Sequence, residues 1–583
     1  MNDDNGMRTP MTGTATRLGR RRFMRLAAAA SGGATLAALL AACGGSSTAT
    51  DTPKPVTGAA TTASAPTTAP ATTGNTGASA PAATTGAGAP ASPTAATAAS
   101  TGGTPKKGGT LRVALESDII GIDPHGASAG VDRNVYTTVY NGLVAPDKNL
   151  KIVPDLAESW TTPDLTTYLF KLRPGVKFHD GTDCDAAAVK KNFDYILDPA
   201  NASARRPEID DVQEVAAPDP LTVKVTLKTA FSPFLSIISD RAGYIVSPTA
   251  RAKFGKDFTR NPVGTGPYQF VEWVKDDHVT FKRFDGYFEK DVAYLDQIVY
   301  KPIPDSSVAL TNLKTANMDF LRSVDPKDVA EIKANKSLSY LEGEGVGYTG
   351  LWINTAKGPL ATKALREAVS LGIDREELLA AAYFGIGEIA NGPIPPSSWA
   401  YDKGARPVAR DVKAAKAKLA EGGQPSGFKM VLKGDNSPLT QKIAQLFQAQ
   451  LKEVGIDVQI QVLEFGALLK AGEQNDFDAL SLGWSGRIDP DGNIEPIFQT
   501  KGAFNYGKYS SPDVDNLVAQ ARLVADQGQR KAIYQQLTKK INDDVAYVFT
   551  RFTPTGYAAG NYVKGFEVTP DGLARFKRTW LNK

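Results

Sequence analysis

The sequence predicts an α/β protein that is built from at least two structural units. Its clearest segment alternates strand, helix and strand over Phe428–Leu432, Leu439–Val454 and Ile456–Leu463. A β–α–β unit of this length places its two strands parallel in one sheet. The chain of 583 residues is also longer than one hydrophobic core usually serves.

The other elements follow from hydrophobic periodicity. A short strand is expected at Leu111–Leu115, and alternation predicts further strands at Tyr168–Arg173, Leu221–Leu227 and Val279–Phe284. A helix is expected over Asp185–Leu197 with its cap at Thr182-Asp183. After Pro304 the pattern changes to regular strand–helix alternation, which predicts a second unit. The tail adds helices at about Asp513–Ala525 and Arg530–Asp543, then a strand at Ala546–Phe552. In the helix 439–454, one face carries the apolar residues Ile443, Leu446, Phe447, Leu451 and Val454.

The charge distribution argues against nucleic-acid binding. The formal net charge is +4, and residues 1–42 supply all of it through six arginines against Asp3 and Asp4. The rest of the chain is neutral and lacks the broad positive surface that DNA or RNA binding requires. We therefore expect no nucleic-acid partner.

The N-terminus has the pattern of a bacterial export signal over residues 1–42. The basic run Arg20-Arg21-Arg22-Phe23 precedes the uncharged segment Leu26–Ala42, which is short and weakly apolar for a membrane span. The arginine pair resembles a twin-arginine signal, and an ordinary Sec signal with an extra arginine stays open. Leu40-Ala-Ala-Cys43 resembles a lipobox, which predicts that Cys43 becomes the lipidated N-terminus.

Residues 43–106 predict a disordered tether. They consist almost entirely of Ala, Thr, Gly, Ser and Pro, with no aromatic residue. Such a composition cannot offset the entropy of ordering. About sixty flexible residues span roughly 40–45 Å, and a glycosylated stalk is the alternative. The second cysteine, Cys184, is expected to be a free thiol.

No catalytic or cofactor motif emerges, so we predict neither an enzyme nor a metal or cofactor site. Gly345-Val-Gly-Tyr-Thr-Gly350 matches a dinucleotide-loop pattern, but a strand-like segment follows it where a helix is required. The motif is therefore a chance match or a turn beside a ligand. His125, His179 and His278 lie far apart, and His179 is expected to be a hydrogen-bonded turn histidine.

Five strings occur in an order that resembles one known family. They are Ala157–Trp160 with Tyr168–Gly181, Asn261–Trp273, Ile373–Arg375, Asn391–Pro396 and Gly483–Pro490. Together they resemble the family 5 extracytoplasmic solute-binding proteins, which include dipeptide-, oligopeptide- and nickel-binding proteins. The resemblance extends from Lys107 to the C-terminus.

The resemblance implies a two-lobed, periplasmic-binding-protein-like type II fold. Lobe I would comprise 107–303 with 508–583 and would hold an extra subdomain at about 144–218. Lobe II would comprise 304–507. The ligand is then expected in the cleft between the lobes, where small-molecule sites commonly lie.

The same resemblance implies a set of ligand-binding residues: Trp484, Arg487, Asp489, Asp491, Phe465 and Tyr348. Oligopeptide binders of the family use Trp-x-x-Asp to hold a peptide ammonium group. In this chain Arg487 replaces that aspartate, so it is expected either to bind an anionic group or to pair with Asp489 or Asp491. Those two aspartates either replace the missing anion or shape the turn. The aromatic side chains are either ligand contacts or ordinary core.

The implied function is that of the substrate-binding component of an ABC importer. It would capture a peptide or other small polar solute as a monomer and deliver it to the permease and ATPase subunits. A lipid anchor would hold it on the extracytoplasmic face of the bacterial membrane. Peptides, opines, saccharides, glutathione and metal chelates stay open as ligands. The alternative is a lipid-tethered peptide receptor or chaperone without an importer, and neighbouring permease and ATPase genes would distinguish the two.

Overall fold

A computed structural model describes residues 103–126 and 130–583. The signal, Cys43 and nearly all of the expected tether lie outside the described residues. The strands are β1 (Thr110–Leu115), β2 (Val144–Pro146), β3 (Ile152–Pro154), β4 (Ala157–Thr161), β5 (Thr167–Leu172), β6 (Val212–Asp219), β7 (Thr222–Leu227), β8 (Tyr268–Val274), β9 (His278–Arg283), β10 (Gln297–Pro302), β11 (Phe320–Leu321), β12 (Leu338–Ile353), β13 (Glu388–Ile389), β14 (Phe428–Asp435), β15 (Ile456–Leu463), β16 (Ala479–Ser481), β17 (Tyr547–Gly560), β18 (Val563–Lys564) and β19 (Trp580–Leu581). The helices are α1 (Asp132–Val139), α2 (Ala186–Leu197), α3 (Phe234–Ile237), α4 (Pro248–Phe254), α5 (Ser306–Lys314), α6 (Val329–Ala334), α7 (Lys363–Gly372), α8 (Arg375–Tyr383), α9 (Val412–Glu421), α10 (Pro438–Val454), α11 (Phe465–Glu473), α12 (Asp491–Phe498), α13 (Pro512–Leu523) and α14 (Gln527–Asp543).

The predicted β–α–β unit is confirmed as β14, α10 and β15. The two strands pair in parallel along their whole length, from Phe428 opposite Ile456 to Asp435 opposite Leu463. Helix α10 begins after Ser437, whose side chain accepts a hydrogen bond from the Thr440 N–H. Its predicted apolar face is buried except at Leu446, which is only partly buried.

The predicted cap of α2 is wrong by two residues. The carboxylate of Asp185 accepts the hydrogen bond from the Ala188 N–H. A cap must directly precede the first helical residue, which is Ala186. Thr182 instead donates its hydroxyl hydrogen to Asp180 in the preceding turn.

Two long strands cross the middle of the large mixed sheet. Its order is β15–β14–β16–β12–β17–β11–β1–β10–β9–β8, with β13 paired to β17. Strands β12 and β17 pair antiparallel from Leu338 opposite Gly560 to Trp352 opposite Tyr547. Strand β12 continues into the half of the sheet that holds β16, and β17 pairs with β11 on the other side. The two strands therefore connect the lobes.

The hydrophobic cores separate into two lobes. Strands β1, β9 and β10 enclose one core with α1, whereas β14, β15, α7 and α10 enclose another. The exact lobe bounds stay a prediction. In the second lobe Val514 of α13 and Tyr534 of α14 pack in one cluster with Tyr348 and Phe498. This packing favours a boundary that assigns α13 and α14 to the second lobe rather than the first.

The first lobe carries an extra subdomain with its own core. The antiparallel sheet β4–β5–β7–β6 packs with α2 around Phe170, Phe193 and Phe234. Cys184 is a free thiol in this core, and burial raises its pKa well above the usual range. Among the described residues, no helix is long and apolar enough to cross a membrane.

Candidate functional site

A cavity of about 1290 Å³ lies where β12 and β17 cross between the lobes. Its floor is formed by Gly345–Thr349 of β12 and Thr553–Tyr557 of β17. The first lobe contributes Glu116, Val131, Arg133, Arg241 and Asp571. The same side is lined by Ser306, Arg322 and Asp325. Strand β11, next to Arg322, pairs with β1 of the first lobe, which favours a lobe boundary later than the predicted residue 304. The second lobe contributes Ser437, Leu439, Phe465, Trp484, Ser485 and Arg487, and Arg551 lines the cavity from β17. The cavity is therefore lined by both polar and apolar side chains. Its volume is larger than the roughly 300–1,000 Å³ typical of small-molecule pockets.

The loop that carries Arg487 is held on the floor strand by backbone pairing. The Tyr348 N–H donates to the Trp484 carbonyl at 3.0 Å, and the Trp484 N–H donates to the Tyr348 carbonyl at 2.8 Å. Gly486 follows with φ of 78°, and a Cβ there would lie 2.1 Å from the Val346 oxygen. Only glycine fits this close approach.

Asn493 fixes the loop from its other end. Its side-chain oxygen accepts from the Arg487 N–H at 2.7 Å, and its amide donates to the carbonyls of Val346 and Pro393 at 3.0 and 3.2 Å. This buried amide therefore joins three segments of the second lobe. Asn493 was not predicted, because nothing in the local sequence distinguishes it from an ordinary asparagine in the first turn of a helix.

Arg487 lies on the cavity wall. Its guanidinium donates to the Gly486 carbonyl at 2.7 Å and to the Ser485 hydroxyl at 3.2 Å, and it lies 4.9 Å from the centre of the Trp484 ring. Within residues 103–126 and 130–583, no carboxylate forms a salt bridge with it.

Asp489 and Asp491 are turned to other partners. Asp489 accepts two hydrogen bonds from Arg530 at 2.8 and 3.0 Å. Asp491 accepts two from Arg522 at 2.8 and 2.9 Å. Neither carboxylate borders the cavity, so neither replaces the anion of the oligopeptide binders or neutralises Arg487.

The three predicted aromatic residues differ in their exposure to the cavity. Phe465, at the start of α11, is 50% exposed and lies on the second-lobe wall. Trp484 is half-buried, and its indole N–H donates to the Gly492 carbonyl at 3.1 Å. Tyr348 is fully buried, and its hydroxyl donates to the Asn493 carbonyl at 3.2 Å. Its side chain belongs to the core, so only its backbone can contribute to the floor.

The residues that line the cavity from the first lobe were not predicted either. Arg133 of α1 forms a salt bridge with Asp240 at 2.7 Å. Arg241 lies in the short 3₁₀ turn Arg241–Gly243, with its guanidinium 3.8 Å from Glu208. Neither arginine lies in a recognisable motif.

The histidines and acidic residues do not assemble a metal centre in the described part of the chain. His179 is a hydrogen-bonded turn histidine as predicted, with its Nε2 2.9 Å from the Gly266 carbonyl oxygen. Burial lowers its pKa to about 4. It lies away from the cavity.

A cavity between two lobes that are joined by crossing strands defines a two-lobed solute-binding protein. Residues 151–505 match the model of the bacterial extracellular solute-binding proteins, family 5. The chain belongs to this family, and the predicted type II fold is confirmed. It is therefore an extracytoplasmic solute-binding protein of the kind that serves ABC importers.

Curated relatives cover most of the chain. The glutathione-binding protein GsiB of Pectobacterium atrosepticum is 31% identical over 477 residues, which cover 80% of this chain and 93% of that protein. GsiB of Escherichia coli O157:H7 is 32% identical over 471 residues, covering 79% and 92%.

Solved structures show the same fold. The periplasmic binding protein DppA of Helicobacter pylori, in complex with the peptide STSA, matches with a TM-score of 0.75 and 27% identity, covering 82% of this chain and 99% of that one. The oligopeptide-binding protein AppA of Bacillus subtilis, in complex with a nonapeptide, matches with a TM-score of 0.74 and 26% identity, covering 82% and 100%.

Proposed function

We propose that this protein captures a peptide or another small polar solute in the interlobe cavity and delivers it to the permease and ATPase of an ABC importer. The observation that carries the proposal is the cavity itself, whose walls come from both lobes and whose floor is the pair β12 and β17. Similar proteins include a glutathione-binding protein and proteins in complex with peptides, which supports this solute class.

The binding surface combines contacts suited to a polar chain with apolar side groups. Backbone groups of Gly345–Thr349 border the cavity beside Trp484 and Phe465. Aromatic walls accept side chains of varied shape, whereas polar groups at fixed positions orient the solute. We propose Trp484, Phe465 and Arg487 as its direct contacts in the second lobe.

The solute is released unchanged, and the protein acts as a monomer. The family is one of solute-binding proteins, which supports binding without turnover. We also propose that Cys43 carries the lipid anchor, because Leu40-Ala-Ala-Cys43 ends an export signal.

Closure on the solute is the test of this function. A ligand shifts an open–closed equilibrium only by its differential affinity for the two forms. Native mass spectrometry of the purified protein should reveal a co-purifying solute. The mass of this solute should stay the same after it is incubated with the protein. Removing that solute and adding it back should reduce the radius of gyration in small-angle scattering. Recovery of a chemically altered solute, or an unchanged radius, would contradict the proposal.

An uptake assay distinguishes a component of an importer from a receptor that works without an importer. Cells that lack the protein should lose uptake of the co-purifying solute, and the wild-type chain should restore it. Trp484→Ala should fail to restore uptake, whereas Trp160→Ala, in β4 of the extra subdomain, should restore it. Unimpaired uptake in the deletion strain would favour the receptor.

A further inference from the structure

Phe504 lies behind the cavity wall and packs against a residue that lines it. Its ring centre is 5.3 Å from that of Trp484, with the ring planes at 56°, and 6.2 Å from that of Tyr506. Phe504 itself does not border the cavity, and 40% of its surface is exposed. A side chain this exposed stabilises a core less than a fully buried one does. Its contact with the Trp484 indole is therefore the feature that needs an explanation.

The loop that carries Phe504 is fixed by hydrogen bonds in spite of this exposure. The Phe504 N–H donates to the Pro496 carbonyl at 2.8 Å. The side-chain amide of the buried Asn505 donates to the carbonyls of Gln499 and Tyr509 at 3.0 and 2.7 Å. The side-chain oxygen of Asn505 accepts from the Tyr509 N–H at 2.9 Å. The phenylalanine ring is therefore held at a defined position, which is what a support for a neighbouring binding residue requires.

Tyr506, on the same loop, contacts the helix that carries the second aromatic residue of this wall. Helix α11 begins at Phe465, and a Cβ on its Gly472 would lie 2.7 Å from the Tyr506 ring. Just after the helix, the side-chain amide of Asn475 donates to the Tyr506 carbonyl at 2.8 Å. The loop thus packs against both elements that present an aromatic ring to the cavity, the one with Phe465 and the one with Trp484.

We propose that Phe504 is a positioning residue: with Tyr506, it fixes the two aromatic rings on the second-lobe wall. The relative position of these rings, Trp484 and Phe465, then selects the apolar side groups of the solute that the wall accepts. This inference rests on the proposed function and names what sets the selectivity of that site. A wall that is held from behind loses little freedom on binding, so a group that fits binds more tightly than one that does not. An unsupported wall repacks around groups of different size, as adaptable binding surfaces do.

Five tripeptides, Gly-X-Gly with Ala, Val, Leu, Phe or Trp at X, probe the wall, because they share their termini and differ in one apolar group. Equilibrium dialysis of the purified protein against their equimolar mixture, with mass spectrometry of both chambers, gives five relative affinities. We expect the wild type to bind them unequally. Phe504→Ala should reduce the ratio between the best-bound and the worst-bound peptide by about 2- to 10-fold, which is the value of one aromatic pair. Phe504→Tyr keeps the ring and should retain the wild-type ratio.

The matched control is Phe254→Ala, because Phe254 is a half-buried phenylalanine of α4 in the first lobe and does not border the cavity. This variant should keep all five affinities. Fluorine NMR of protein labelled with 5-fluorotryptophan reports on the Trp484 ring directly. The chain has six tryptophans, and Trp484→Phe assigns the signal. Phe504→Ala should shift or broaden the Trp484 signal, whereas Phe254→Ala should leave it in place.

A purely structural role of Phe504 predicts a different result. Phe504→Ala would then lower the melting temperature without peptide and weaken all five peptides by the same factor, which would overturn the inference. An unchanged affinity ratio or an unchanged Trp484 signal would overturn it as well. Phe504→Leu, which keeps most of the volume but not the ring, replaces the alanine variant if that variant does not fold, and the same loss is expected.

The wild type alone distinguishes this inference from the proposed function. If it binds none of the five peptides, or binds all of them equally, the wall does not select apolar groups and the inference is wrong. The proposed function is then still decided by compaction with the co-purifying solute and by uptake.

Discussion

The ion pair between Asp489 and Arg530 should be the main support of the loop that carries Arg487. Both residues are buried, with 7% and 6% of their surface exposed. Asp489→Asn keeps the shape of the side chain but leaves the Arg530 charge, among the residues that the structure describes, with hydrogen bonds to two neutral groups, the Ala521 carbonyl and the Tyr534 hydroxyl. Breaking one side of a buried pair costs about 3–5 kcal/mol of unfolding free energy.

The neighbouring pair provides a matched control. Asp491→Asn leaves Arg522 with Glu495 at 3.3 Å, and the Arg522 side chain is 25% exposed. Its loss should be roughly 1–3 kcal/mol, because the arginine keeps a second carboxylate and contact with water.

Urea denaturation followed by circular dichroism gives both free energies, and calorimetry with the co-purifying solute gives the affinity. Asp489→Asn should also weaken binding of this solute, since Arg487 lies two residues away on the same loop. The double change Asp489→Leu with Arg530→Met should recover much of the stability without recovering the loop geometry. Equal losses in the two single variants, or unchanged solute affinity in Asp489→Asn, would refute this account of the loop.

Three further predictions concern other parts of the chain. Cys43→Ala should release the protein from the membrane fraction, because stable anchoring requires the acyl chains; fractionation beside wild type checks this. Gly345→Ala should lower the unfolding free energy by about 1–3 kcal/mol, since its Cβ would lie 1.9 Å from the Thr553 oxygen; Gly130→Ala, where a Cβ meets nothing within 4 Å, should not. Burial lowers the pKa of His125 and of His179 to about 4, so each should remove roughly 3 kcal/mol of stability as the pH falls from 6.5 to 4. Burial raises the pKa of Asp132 to about 6, which opposes this loss, so urea unfolding of Asp132→Asn should show a steeper fall.

Local periodicity predicted those elements whose stability depends on their own neighbours. The β–α–β unit at 428–463 was predicted because α10 has a strong apolar face. In the structure a serine cap, Ser437, and a terminal glycine, Gly455, fix the two ends of this helix. The long strands β12 and β17 were predicted only in part. The glycine-rich middle of β12, Gly343–Gly347, has no alternating pattern. In this segment the register with β17 shifts and the backbone borders the cavity.

The residues of the candidate site were also predicted only in part. Trp484, Phe465 and Arg487 were predicted because a family motif preserves their place in the second lobe. The ion pairs of Asp489 and Asp491 were not predicted, because their partners Arg530 and Arg522 lie on helices that follow later in the chain. A nearby opposite charge in sequence is weak evidence of a pair when a distant helix offers a buried and better aligned arginine.

The lining of the cavity depends most on contacts that the sequence cannot show. Arg133 is the second residue of α1, which has no side-chain cap, and Arg241 lies in a three-residue turn, so neither stands out locally. Both nevertheless line the same cavity as Arg487, which lies far away in the chain. The antiparallel pairing of β12 with β17 forms the floor on which these distant segments meet. The lining is therefore a property of the whole fold, and neither local periodicity nor a short motif predicts it.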